Sequence, residues 1–158
     1  MIELNPMTET EYQAFMEVSM EDHIRGQIKA GYWQPEEAQN KMQQMADQVL
    51  PEGYATPGHK FFAIRDPESS ADVGGLWYWV TEQEGQQVVF VVDIQVTPIH
   101  RRKGYGSQAF LAMEDQVKAM GIKIIALNVF AHNTSARAMY EKLGYVGEGE
   151  SMMKQLED

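Results

Sequence analysis

Val88-Val89-Phe90-Val91-Val92-Asp93-Ile94-Gln95-Val96-Thr97-Pro98-Ile99-His100-Arg101-Arg102-Lys103-Gly104-Tyr105-Gly106-Ser107 is the stretch whose reading decides the fold. The run from Val88 to Val96 is apolar and rich in β-branched residues, which reads as a strand. A basic turn carrying Gly104 and Gly106 follows, and an amphipathic helical segment, Ser107 to Met120, comes next. A helix start offers unpaired backbone N–H groups and the positive end of the helix dipole. Two glycines there allow an oxyanion to approach the backbone closely. Arg101, Arg102 and Lys103 place three cations beside them in a chain of net charge −10. The combination suits a phosphate-rich ligand. The plainer alternative is that the glycines only permit a tight strand-to-helix turn.

Upstream of this stretch, Ile2 to Asn5 is a short strand candidate. Thr8 and Glu11 form the pattern of a capping box. Tyr12, Phe15, Met16, Ser19, His23, Ile24 and Ile28 then recur at helical spacing, and Gly31 ends that helix. A second helix opens at Pro35, carries Met42, Met45, Ala46 and Val49, and stops at Pro51 and Gly53. Phe61 to Ile64, Val73 to Val80 and Val88 to Val96 are strands separated by turn chemistry, which predicts an antiparallel meander. Gly106, Ala109, Phe110, Met113, Val117 and Met120 mark the buried stripe of the third helix. Ile122 to Phe130 reads as a strand and Asn133 to Leu143 as a fourth helix ended by Gly144. Tyr145-Val146 and Met152 to Leu156 read as a final hairpin. The order predicts an α/β fold, with residues 1–158 as one domain.

The totals exclude several classes. With 158 residues, 44% hydrophobic and 23% charged, the chain is expected to be a soluble globular domain. No segment approaches the roughly 20 apolar residues of a membrane span, and the N-terminus lacks a signal-peptide pattern, so a cytoplasmic protein with no membrane partner is expected. The absence of cysteine removes disulfides, thiolate metal sites and a cysteine nucleophile. The four histidines show no metal-ligand spacing, so no metal is expected. The acidic balance argues against nucleic acid as a partner. The eleven methionines fall at helical spacing and read as pliable core filler.

The Walker pattern G-x-x-x-x-G-K-[ST] is missing. Gly104 to Ala109 satisfies G-x-G-x-x-A, but an acidic residue should follow about 20 positions on, where the chain has the apolar run Ile124 to Val129. The second landmark lies further on, from Asn133 through Ala136, Tyr140, Glu141, Lys142, Leu143 and Gly144 to Tyr145. The arginine-rich G-x-G loop followed by N-x-x-A-x-x-x-Y-E-K-L-G-Y resembles the GNAT superfamily of N-acetyltransferases. The likeness spans about Val73 to Tyr145. The Gly31 to Ala38 and Val129 to Asn133 segments are similar to a bacterial branch of it.

The resemblance implies a mixed, mostly antiparallel central sheet, splayed between strands 4 and 5 and flanked by four helices. It implies acetyl-CoA as co-substrate, with the pyrophosphate on the amides of Lys103, Gly104, Tyr105, Gly106 and Ser107. Arg101, Arg102 and Lys103 would add charge there. The pantetheine arm would pair with Ile94 and Val96 like an added strand. Asn133, a favoured N-cap residue, would also contact that arm. Tyr140 completes an apolar stripe with Ala136, Met139 and Leu143; the resemblance implies that it protonates the leaving thiolate. Asp93 is the candidate base, although some family members place a glutamate where this chain has Phe90. Asn128, on the facing strand, is a candidate for orienting the substrate. Tyr32, Trp33 and Trp77 are aromatic candidates for an acceptor cleft. With no cysteine to carry acetyl, transfer to a primary amine of a small molecule or peptide is expected to be direct, within a ternary complex. A non-catalytic acetyl-CoA sensor and an O-acetyl or other acyl transferase are the alternatives. Small members often pair, so a homodimer is possible.

Overall fold

A computed structural model describes residues 1–154, 156 and 157. Thr8 and Glu11 close the expected capping box at the start of helix α1, Glu9–Lys29, which follows strand β1, Glu3–Pro6. Helix α2 runs Pro35–Val49, with its proline in the first turn where a missing N–H costs nothing. Strands β2 (His59–Asp66), β3 (Ala71–Gln83) and β4 (Gln86–Val96) form the meander. Helix α3 (Tyr105–Ala119), strand β5 (Ile125–Leu127) and helix α4 (Thr134–Lys142) complete the order.

The sheet order is β1-β2-β3-β4-β5, antiparallel throughout except for the parallel β4–β5 pair. Strand alternation gives it two packed faces. On one face Tyr12 and Phe15 of α1 lie against Phe61, Ala63 and Trp77. On the other, Ala109, Phe110, Met113 and Val117 of α3 pack on Ile64, Leu76, Tyr78, Val89 and Val91, and Met139, Tyr140 and Leu143 of α4 join them. The sheet is therefore a layer between α1 and the α3–α4 pair, and the strand ends that lead into α3 lie between them.

Two expectations are corrected. The strand read over Ile122 to Phe130 pairs only at Ile125–Leu127, because the chain leaves β4 after Leu127. The final hairpin is not formed: residues 145–154 have no strand, and Gln155 lies outside the described residues. Val146, Met152 and Leu156 are exposed, while two of the residues that suggested it find other neighbours. Tyr145 packs edge-on against Phe110 and donates its hydroxyl to Glu114, 3.1 Å away. The Met153 methyl lies near Gly31.

Gly74 and Gly75 of β3 set the depth of this packing. A Cβ on Gly74 would sit 1.9 Å from the Gln95 carbonyl oxygen, and one on Gly75 would sit 2.5 Å from the Phe15 ring. β4 and α1 therefore press directly on β3 backbone. Gly74→Ala is expected to cost about 2–3 kcal/mol, by analogy with overpacked cores, and to lower Tm by roughly 4–12 °C. Thermal unfolding followed by circular dichroism checks this; an unchanged Tm would contradict the close approach.

Candidate active site

The site grows from one irregularity in β4. Opposite β3, Trp77 faces Asp93 but Tyr78 faces Val91, so Val92 is an extra residue, a β-bulge. Val91 packs into the α3 face, whereas Val92 packs on the α1 face. The bulge thus resets the alternation and turns Asp93 toward α1. Unbroken alternation from Val89 and Val91 would have sent it into the α3 core. Pairing with β5 ends at the same place, at Val91 with Leu127. From Val92 to Val96, β4 has β3 on one side and no strand on the other.

The direction of the exposed backbone groups follows. Thr97 N–H donates to the Val73 carbonyl at 2.9 Å, toward β3. N–H groups alternate along a strand, so those of Ile94 and Val96 point away from β3, to the parted edge. Arg101 Nε donates to the Val96 carbonyl at 2.9 Å and folds the arginine over that edge.

The edge opens on two adjoining clefts. The larger, about 940 Å³, is lined by Ile94, Val96, Arg101, Arg102, Gly104, Tyr105, Gly106, Ser107 and Asn133, among others. The second, about 560 Å³, is lined by Asp93, Asn128 and Tyr140, with Ser19, Asp22 and His23 from α1. Ile94, Val96, Gly106, Asn133 and Met139 border both, so they form one continuous groove.

At the loop end of this groove, α3 begins without a side-chain cap and without an acidic residue in its first turn. α1 and α4, by contrast, are capped by Thr8 and Asn133. Gly104 holds φ +81°, the left-handed region glycine favours, and a Cβ on Gly106 would reach within 3.2 Å of Met139 Sδ. The bare amides and cationic flank fit a diphosphate. Tyr105 is committed through its side chain, donating to Asp66 at 2.8 Å and tying the helix start to β2; its backbone N–H remains for a ligand.

Asp93 is largely buried, and burial raises its carboxyl above the ordinary range. The Gln95 amide and the Ser19 hydroxyl act against that rise, while the Asp22 carboxylate adds to it. Tyr140 is raised by burial and then by the charge of Asp93, so it is a protonated phenol near neutral pH. Its ring packs on Phe110 at 5.3 Å, and its hydroxyl has no hydrogen-bond partner among the described residues. His23 is held below its ordinary value by burial, and its Nε2 lies 3.1 Å from Gln27 Nε2.

Several expected residues fall elsewhere. Trp77 lines neither cleft: opposite Asp93 on the α1 face, it is covered by Phe61, stacked at 5.0 Å, and its indole N–H donates to His59. It is core, not cleft wall. Tyr32 is exposed and outside both clefts, and Trp33 reaches the groove only by packing on His23 at 5.6 Å. Lys103 is exposed and borders neither cleft. Asn133 caps α4, accepting from Ala136 N–H at 3.3 Å. Sequence reasoning missed Asp22 and Gln95, and assigned Ser19 and His23 only to the helix stripe. The available signal was that Ser19 and His23 are polar positions within an apolar stripe. Among the described residues no group of His, Asp or Glu is arranged to hold a metal ion, and no helix is long and apolar enough to cross a membrane.

The profile of the acetyltransferase (GNAT) family matches residues 13–145, and the chain belongs to that family as an acyltransferase. It is 34% identical over 155 residues to the uncharacterised N-acetyltransferase YycN of Bacillus subtilis (strain 168), covering 98% of this chain and 99% of that one. The crystal structure of YycN superposes with a TM-score of 0.93 over 100% of both chains. A second relative from that organism, the uncharacterised N-acetyltransferase YdgE, is 30% identical over 153 residues, 97% of each chain. An acetyltransferase structure from Pyrococcus furiosus, 23% identical over 99% of each chain, shares the fold with a TM-score of 0.70.

The Asp93 shift carries a sign for stability. A carboxyl raised in the folded state stabilises the fold below its ordinary pKa near 3.9, and that contribution is lost as pH rises through the raised value. Asp93→Asn is therefore expected to raise Tm at pH 8, by about 3–5 °C for each unit of raised pKa. The gain should close below about pH 4. Calorimetry across that range checks it, and a lower Tm for the variant at pH 8 would contradict the desolvated-charge account.

Proposed function

We propose that this chain transfers acetyl from acetyl-CoA directly to a primary amine of a small molecule or peptide, with both substrates bound together. The observation that carries the reading is that the outward amides of Ile94 and Val96, the uncapped start of α3, Asp93 and Tyr140 all border one groove. The amides from Lys103 to Ser107 hold the diphosphate, with Arg101, Arg102 and Lys103 supplying positive charge. Ile94 and Val96 pair with the pantetheine amides, and Asn133 adds a side-chain contact. Bound there, acetyl-CoA supplies a thioester whose acetyl carbon an amine attacks as the carbon–sulfur bond breaks.

This chain's residues then manage protons. An alkylammonium has a pKa near 10.4 and must first become neutral. Asp93 takes that proton, directly or through one water, and Asp22 adds negative charge that draws the cation in. Asn128 orients the amine from the β5 side, and His23, backed by Trp33, forms the neutral wall behind it. A backbone N–H near Val96 would donate to the thioester oxygen as it gains charge. Tyr140 gives its proton to the departing thiolate and recovers one from the nitrogen, which becomes an amide.

Incubating the protein with acetyl-CoA and an amine panel, and measuring free thiol and product mass, tests the reading. Tyr140→Phe is expected to lower kcat by roughly 10²–10⁴-fold, the usual worth of a positioned acid, with acetyl-CoA affinity unchanged by calorimetry. Equal losses in both would make the phenol structural. A product acetylated on oxygen would reassign the acceptor.

A further inference from the structure

We propose that Gln95 is a positioning residue that anchors the Asp93 carboxylate to helix α1 and so fixes its aim into the groove; this rests on the reading of Asp93 as proton acceptor. Gln95 Nε2 donates to Asp93 Oδ2 at 3.0 Å and to the Phe15 carbonyl of α1 at 3.1 Å. Both neighbours are acceptors, so only the NH₂ end of the amide satisfies them, and its two hydrogens are both used. The strand puts Asp93 and Gln95 two positions apart on the same side, beyond the Val92 bulge.

The reach to α1 depends on a second feature. Gly75 stands opposite Gln95 on β3. With no Cβ at Gly75, the Phe15 ring settles on the sheet, which brings the Phe15 carbonyl within range. A helix carbonyl keeps a second lone pair after its own helical bond, so this contact costs α1 nothing. α1 also supplies Ser19, which is buried and faces the same carboxylate. The helix that borders the acceptor side of the groove is thereby linked to the proton acceptor.

Groups of both signs surround Asp93. From α1 come Asp22, His23, Arg25 and Lys29, with Arg25 already paired to Asp22 at 2.8 Å. Arg101 faces the cleft from the loop after β4, His132 from the segment before α4, and Tyr140 from α4 itself. The residue opposite on β3, Trp77, is uncharged. Against burial and Asp22, charge on Asp93 is favoured by hydrogen bonds from Gln95 and Ser19.

The test replaces Gln95 by Met, of similar length and without donors, and separately by Leu in case one variant folds poorly. Two quantities are read against pH: kcat/KM for an amine accepted by the native enzyme, and the Asp93 side-chain carboxyl by ¹³C NMR. The inference expects both to shift upward by about one pH unit or more, the scale of a lost hydrogen bond to a charged group. KM for acetyl-CoA should stay unchanged. A folded variant whose Asp93 titration superposes on the native curve overturns the role of Gln95. Asp93→Asn is the control for the underlying reading: if it keeps the native acid limb, Asp93 is not the acceptor, while the NMR titration still decides whether Gln95 holds it.

Discussion

Everything in the groove depends on β4 losing its neighbour at one point. Three residue pairs join β4 to β5, ending at Val91 and Leu127. From the Val92 bulge onward β4 is supported by β3 alone. A sheet edge with free N–H and C=O groups is normally a liability. Here it is short, lies between α1 and α4, and is partly covered by Arg101. A linear amide-bearing ligand can complete it as a strand would.

The same bulge does the chemical sorting. Its one extra residue sends Asp93 to the α1 face and brings Ile94 to the α3 core. It also shifts the outward N–H groups by one residue, from Val89, bonded to Ile124 before the bulge, to Ile94 and Val96 after it. Asp93 and Tyr140 border the same cleft. Burial raises both, which leaves the phenol a firmer acid reservoir and the carboxylate a better base than in water. The cost falls on the fold, which must hold a partly desolvated charge.

The features legible in the sequence were the local ones. The Thr8–Glu11 box, Pro35 at the start of α2 and Asn133 at the start of α4 each act within a few residues. The loop from Arg101 to Ser107 announced itself by composition, and all but Lys103 border the groove. Features that depend on register or on distant partners were not legible. No periodicity reveals the bulge at Val92, so the side to which Asp93 and Gln95 point was hidden. Ser19 and His23 read as packing because a helix stripe cannot show what lies beneath it. Trp77 read as a cleft aromatic because alternation gives two faces without saying which is covered. The C-terminal apolar residues suggested strands, but Tyr145 belongs to the Phe110 cluster.

Amide hydrogen exchange, resolved by residue with and without acetyl-CoA, tests the parted edge most directly. The account predicts that the Ile94 and Val96 N–H groups exchange fast in the free protein and become protected with the cofactor bound, together with the first amides of α3. Protection confined to other elements, with Ile94 and Val96 unchanged, would contradict it.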